Sequence, residues 1–438
     1  MSFTVSNFCS IRNAQTLSML RPGQGTTSRL ALGEDPAGGD ISPLAVIFGA
    51  NASGKSTLIA AMSYTMWLVT SSATREATKP LPMHPFLLDD QFKFEPFSVE
   101  TRFTCGEREF IYAFTVTNGE INTENLREVI RRPTRSSTQT LFNRTMQGET
   151  IQVTTAPTLK GHKRTIIAAT RPNSLFLSKA AQENYLPLMD VYRWFADFTF
   201  GVGRGSLATT PTQSSLDRFE SDPEFAAWVA DLLLQADLGV TDIRLSTASR
   251  PPKHLVSALT AAMETEDPNE IARIEEELAR SSRHPILNHR SVTAGTLGHP
   301  LPWNTESKGT HLLWDLSSDL YQALKTGRTF IMDDELSDMH PLIVKSIIQA
   351  FQSSTSNPHG AQLIFTSHDV TLLGTWAGQG YQLERDQIWF TEKDYASGAT
   401  SIIPLTNFRT RKDEDTERLY LQGRLGGMPV VGYLPPVD

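Results

Sequence analysis

"LAVIFGANASGKSTLIAAMSYTMWLV", Leu44 to Val69, decides the fold. Its first five residues form a continuous apolar run, the pattern of a strand covered on both faces. "GANASGKS", Gly49 to Ser56, fits G-x-x-x-x-G-K-[ST], and the apolar residues after it recur near every third or fourth position, as in a helix. Strand, glycine-rich loop and helix in that order make a phosphate loop. The glycines let backbone N–H groups wrap a β-phosphate, and the helix N-terminus adds a favourable dipole. Lys55 is placed to reach the β/γ-phosphates and the Ser56 hydroxyl to ligate Mg²⁺. Gly49, Asn51, Ser53, Gly54 and Thr57 complete the expected ATP cradle, Asn51 as a contact for water.

A phosphate loop needs an acidic strand end to hold its metal, and "TFIMDDELSDMHP", Thr329 to Pro341, supplies one. Asp333, Asp334 and Glu335 follow the apolar run "TFIM", and three adjacent acids repel unless a cation sits among them. In one register Asp333 holds Mg²⁺ and Asp334 orients or deprotonates the attacking water. In the other, Asp334 holds the metal and Glu335 is the base. The first is favoured because the apolar run stops at Met332. It puts Asp where Glu is usual, and the shorter side chain withdraws the carboxylate by roughly 1.5 Å, when a misplacement of about 1 Å can cost on the order of a hundredfold. Slow turnover is the expectation.

Length and composition set the frame. The 438 residues suggest two or so cores, or one large α/β core with an insertion. A net charge of −8 argues against a globally basic nucleic-acid coat, though a local patch can still bind phosphates. Two cysteines, Cys9 and Cys105, are too few for a disulfide framework and fit a reducing cytosol. The N-terminus lacks a basic region followed by an apolar core, and no apolar stretch reaches the roughly 18 residues needed to span a bilayer. A cytoplasmic protein without a membrane partner is expected.

Along the chain, "SFTVSNF" alternates like a half-buried strand, and residues 21–43 read as a long polar loop. Strands with turn signals follow between about 97 and 155, including a hairpin around Cys105-Gly106. From about 176 to 285 the pattern turns helical; in "DPNEIARIEEELARSS", Asp267 is a helix cap with Pro268 in the first turn. "AQLIFTSHD" and "DQIWFTEKD" then return to strands. The expected division is 1–175 and 286–438 for the two parts of one α/β head, with 176–285 as a helical insertion.

Further motifs complete an ordered set. "ESKGTHLLWDL" puts Ser307 and Gly309 at a helix start, where N–H groups and a hydroxyl can meet an anion. "LIFTSHD" ends a strand at His368, within reach of a γ-phosphate. "HPFLLDDQFKFEP", His84 to Pro96, offers Gln91 as a sensor of the γ-phosphate or Mg²⁺. "REVIRRPTRSS" gathers Arg127, Arg131, Arg132 and Arg135, with Arg144, Lys163 and Arg164 beyond. These basic residues could track a nucleic-acid phosphate chain, but a solvated hairpin edge is the better reading.

Phosphate loop, Ser-x-Gly helix start, acidic strand and strand-end histidine together resemble the ABC-type ATPase heads of structural-maintenance, Rad50-like and RecF-like proteins. The resemblance implies a P-loop NTPase fold with a mixed sheet, an antiparallel β-subdomain and a helical insertion. It also implies that two heads sandwich MgATP, Ser307 and Gly309 acting in trans, "LSDMHP" facing the dimer and His368 switching with the γ-phosphate. The Ser-x-Gly start departs from the transporter signature, so a transporter subunit is not expected. Over almost the whole chain, "FTVSNFCSIRNAQTLSM", "RPNSLFLSKAAQEN", "TESKGT", "NPHGAQLIFTSHD" and the near-terminal "LQGR" are similar to abortive-infection ATPases of the AbiLi/RloA type. That narrower resemblance implies anti-phage defence through a separate nuclease or toxin effector, TOPRIM-like in some cases, with a homodimer or higher oligomer of this chain. A DNA-stimulated repair ATPase and an ATP-locked scaffold with little hydrolysis remain the alternatives.

Overall fold

The computed structural model describes residues 1–21, 34–35, 39–132, 135–148, 150–201, 211–236, 239–246, 253–264, 268, 270–271, 273–274, 278, 283–291, 295–375, 383–409 and 414–428. The chain forms two compact units, one of residues 1–200, 326–337 and 345–438, the other of 201–325 and 338–344. Most of the polar stretch 21–43 lies outside the described residues, as do Asp267 and much of the segment to 282.

Two sheets build the first unit. One is mixed, in the order Thr199–Phe200, Thr329–Asp333, Gln362–Ser367, Leu44–Gly49, Ile388–Lys393, Thr400–Pro404. Its first five strands run parallel and only the last is antiparallel. Leu44–Gly49 is buried at every residue, which is why it reads as an unbroken apolar run. The other sheet is antiparallel, in the order Thr150–Thr155, Arg135–Gln147, Glu120–Arg132, Arg108–Thr117, Phe97–Cys105, Ser2–Ser6, Gln15–Ser18. Phe97–Cys105 alternates buried and half-buried residues, and its hairpin turns between Cys105 and Arg108 as the sequence indicates.

The helix α1, Lys55–Ser71, shares one core with residues of both sheets, Val5 and Leu17 on one side and Ile47, Ile331 and Ile364 on the other. Leu58, Ile59, Ala61, Met62, Met66, Leu68 and Val69 are all buried, so the helix is apolar around much of its circumference rather than along one stripe. Each such Leu, Ile, Met or Val contributes about 1.5–3 kcal/mol of burial. That anchors the end of the helix from which the phosphate loop departs.

The second unit is not purely helical. It contains an antiparallel sheet of Val240–Ser246, His284–Ser291 and Gly295–Leu301 beside the helices Gln213–Ser221, Pro223–Gln235, Lys253–Glu264 and Lys308–Thr326. The helical reading of 240–246 fails because an irregularity between Val240 and Asp242 breaks the two-residue alternation that marks a strand. Leu313, Trp314, Phe225, Val229 and Leu233 are buried in this unit. The helices Phe176–Gln182 and Leu186–Ala196 pack within the first unit, where Phe176, Leu177, Val191 and Phe195 join its core. No helix among the described residues is long and apolar enough to cross a membrane.

Candidate functional site

Three neighbouring parallel strands of the mixed sheet end together. Asp333 stands opposite Thr366, Ser367 opposite Phe48, and Gly49 opposite Thr391 on a fourth. The phosphate loop, the acidic cluster and His368 therefore leave one edge of one sheet, where α/β proteins place their ligands. The parallel register performs this convergence: it brings residues about three hundred positions apart in sequence side by side.

The loop is braced from below. A Cβ on Gly49 would lie 2.3 Å from Thr391 Oγ1 and 2.6 Å from Ser53 Oγ, so no larger residue fits there without moving the strand. Ser53 Oγ and Thr391 Oγ1 share a hydrogen bond of 2.6 Å. Thr400 Oγ1 donates to the Ser53 carbonyl at 2.9 Å and shares a hydrogen bond of 2.8 Å with Ser10 Oγ, which lies 3.1 Å from Thr57 Oγ1. Above this hydroxyl chain Asn51 and Ser56 are exposed, while Ser53, Gly54 and Lys55 are buried. Lys55 Nζ donates to the carbonyls of Gly49 at 2.8 Å and Ala50 at 3.0 Å. Burial holds its ammonium below the ordinary lysine range, opposed by the charges of Asp334 and Asp333.

The three acids have three environments. Asp333 is the last residue of its strand, half-buried, and accepts a hydrogen bond of 2.8 Å from Thr366 Oγ1. Asp334 turns the chain with φ of 66° and is exposed, its carboxylate accepting from Ser337 Oγ. That left-handed backbone costs about 1–2 kcal/mol for a residue with a Cβ, a cost Asp tolerates best with Asn. Glu335 begins a 3₁₀ turn and is only 8% exposed, with Oε2 buried and without a hydrogen-bond partner. Burial first, then Asp333 and Asp334, push its carboxyl up to about 7. The His368 imidazole is held below its usual range by partial desolvation and by Lys55, against the pull of Asp334 and Asp333, so it is neutral at pH 7. Lys55, Asp333, Asp334 and His368 thus form one electrostatic cluster.

The family described as "AAA domain, putative AbiEii toxin, Type IV TA system" matches residues 44–374, from the phosphate-loop strand to just beyond His368. The chain belongs to this AAA-domain family. No curated protein matches the chain. Among solved structures, the SMC head domain from Thermotoga maritima is 12% identical, covering 92% of this chain and 97% of that one, with a TM-score of 0.38. An SMC head bound to the C-terminal winged-helix domain of ScpA is 10% identical, covering 92% and 96%, with a TM-score of 0.44.

The other expected residues of this AAA-domain protein lie as follows. In the second unit, Ser307 precedes the helix Lys308–Thr326 and caps it: its Oγ accepts from the Thr310 N–H at 3.1 Å and shares 2.8 Å with Thr310 Oγ1. Gly309 sits in the first turn, half-exposed. Gln91 is exposed in a turn, its N–H donating to Asp89 Oδ1 at 3.0 Å. Two residues of the basic cluster, Arg127 and Arg131, are paired within their own sheet, beside Arg102 and Arg108. Arg127 pairs with Glu100, Arg131 and Arg102 with Glu109, and Arg108 with Glu128. Arg144 is not on the surface at all: it is fully buried and donates to the carbonyls of Ile121, Arg171 and Pro172. A positively charged track through Arg144 is therefore excluded.

The sequence reading missed Ser10, Thr391 and Thr400 beneath the loop, Thr366 beside Asp333 and Ser337 beside Asp334. For Thr366 and Thr391 the signal available was a threonine ending an apolar run, as in "LIFT" and "IWFT", which a buried position tolerates only when the hydroxyl has a partner.

Proposed function

We propose that this chain is an ATPase in which Lys55, Ser56 and Asp333 hold MgATP and Asp334 activates the attacking water. The observation that carries the reading is the cluster of Lys55, Asp333, Asp334 and His368 at one sheet edge beside a braced phosphate loop. The donor set suits Mg²⁺: the Ser56 hydroxyl and the Asp333 carboxylate are hard oxygen ligands, and such a site leaves the remaining positions to water and phosphate oxygens. When bound, the ion offsets the charge that builds on the transferring phosphoryl group. Lys55 leaves the carbonyls of Gly49 and Ala50 to meet the β/γ-phosphates. Thr366 fixes the rotamer of Asp333. Asp334, exposed at the strand end, accepts the proton of the attacking water. Neutral His368 offers a ring N–H to the γ-phosphate without adding charge. Glu335 is buried with its carboxyl pushed up to about 7, a value that also suits a general base, so the register with Asp334 on the metal and Glu335 as base is the alternative within this reading.

At the level of the assembly, the reading is a dimer of heads in which Ser307 and Gly309 of one copy complete the nucleotide site of the other. A toxin-system family and the AbiLi/RloA resemblance support a role in anti-phage defence, with ATP state controlling a separate nuclease or toxin effector. A second reading, a scaffold locked by ATP, is favoured by aspartate at 334, whose shorter side chain slows the chemistry. Steady-state turnover of the purified chain with MgATP, against Lys55→Ala as the blank, separates them. Turnover near one per second or faster supports a cycling ATPase. Turnover at the level of the blank with binding retained supports the scaffold, and absence of binding defeats both.

A further inference from the structure

We infer that the C-terminal segment Asp415–Gly427 is a brace that sets the shape of the phosphate loop, with Tyr420 and Gly427 as positioning residues for the nucleotide. The inference rests on the nucleotide reading above and adds a part of the chain remote from every motif that carries it.

The segment is built to stop and turn. Asp415 caps the helix Thr416–Leu421 by accepting from the N–H groups of Glu417 and Arg418. "LQGR" ends it: the Gly423 N–H donates to the Tyr420 carbonyl at 2.8 Å, and the Arg424 N–H to the Leu419 carbonyl at 3.1 Å. That pair of bonds, with Gly423 at a φ of 73°, is the reversal that closes many helices. Leu425 is then buried and Gly427 is carried back over the mixed sheet.

There it meets the phosphate loop through one shared atom. A Cβ on Gly427 would lie 3.1 Å from the Thr391 carbonyl oxygen, 3.7 Å from Phe390 Cβ and 3.5 Å from Gly49 Cα. A Cβ on Gly49 would lie 2.6 Å from that same Thr391 oxygen. The first residue of the loop and the C-terminal turn therefore pack against the same carbonyl, tightly enough at Gly49 that a methyl does not fit and at Gly427 that a methyl displaces the oxygen. Tyr420 secures the contact twice: its hydroxyl donates to the Gly427 carbonyl at 3.1 Å, and its ring stacks on Phe390 with centroids 5.3 Å apart. Thr391 also holds Ser53. A shift of Gly427 therefore reaches the loop along two routes, through Gly49 and through Ser53.

The test uses the full chain, MgATP as probe, and amide hydrogen exchange with equilibrium binding as readouts. MgATP is expected to slow exchange across 416–428 in the wild type and to leave it unchanged in Lys55→Ala. Gly427→Ala, which presses a methyl on the Thr391 carbonyl, is expected to weaken MgATP about tenfold. Tyr420→Phe, which removes only the tie to Gly427, should weaken it about fivefold while the nucleotide-free protein loses no more stability than one hydrogen bond supplies. A fold defect in Gly427→Ala leaves Tyr420→Phe and the wild-type exchange pattern to decide. Should the wild type bind MgATP with no change in exchange over 416–428, and Tyr420→Phe bind as tightly, the brace is overturned and the nucleotide reading stands. Should the wild type not bind MgATP, the nucleotide reading falls and the brace with it.

Discussion

Asp334 and Glu335 are adjacent carboxylates with opposite fates, and a single peptide bond separates them. The left-handed turn at Asp334 leaves its carboxylate in solvent beside Lys55 and His368, while the 3₁₀ turn that follows buries Glu335. Asp334→Asn should therefore lower turnover by about a hundredfold or more, the usual cost of losing a general base, with MgATP binding retained. Glu335→Gln keeps the shape of this buried side chain, whose carboxyl is pushed up to about 7, and with Asp334 as the base should leave turnover within about threefold. The reverse pattern, Glu335→Gln dead and Asp334→Asn active, would move the metal to Asp334 and the base to Glu335. Residue identities along the phosphate loop were legible because all of them lie within nine positions of one another. Thr391 and Thr400 were not, because they reach Ser53 across 338 and 347 residues of intervening chain, and only the sheet register brings them there.

At the scale of elements, the antiparallel sheet is joined to the helix Phe176–Gln182 by a buried polar knot. Glu124 and Arg144 stand directly across neighbouring strands, both fully buried. Glu124 accepts from the N–H groups of Phe176 at 2.6 Å and Leu177 at 2.9 Å and from Tyr112 Oη at 2.9 Å, so it satisfies free N–H groups at the helix start. Glu124→Ala strands Arg144 and those N–H groups and should cost about 3–5 kcal/mol, read by urea denaturation. Burial raises the Glu124 carboxyl above its usual range in spite of Arg144. A raised folded value means its stabilisation is complete below the unfolded value of 4.5 and is lost as pH climbs through the folded one. The gap between the wild type and the non-titrating Glu124→Gln should thus be wider at pH 5 than at pH 8, and a gap that widens with pH would contradict the assignment. Phe142 and Arg144 sit two apart on one strand, so alternation alone places both on the buried face. Counting Arg144 with the neighbouring arginines hid that signal. The strand Val240–Ser246 escaped for the opposite reason, its alternation being broken where the register shifts.

For the whole molecule, the decisive question is whether one chain suffices. The phosphate loop lies in the first unit and Ser307 in the second. The first turn of the 19-residue helix that Ser307 caps carries no acidic residue, and a helix start favours an anion. If the nucleotide lies between two copies, lesions on opposite sides of the sandwich must complement. Lys55→Ala removes the loop lysine, and Ser307→Arg fills the partner-facing helix start. Each chain alone is expected to be inactive, because every site of its dimer then carries the lesion. In a mixture at equal concentration half of the dimers are mixed, and a mixed dimer has one site with both lesions and one with neither. Independent sites then restore about a quarter of wild-type turnover. Mixing that restores nothing, while Asp334→Asn with MgATP still elutes at the mass of one chain, would place the entire ATPase within a single copy. Restoration without a dimer at equilibrium would mark the sandwich as a transient step of the cycle, formed when both heads are charged with ATP and lost on hydrolysis.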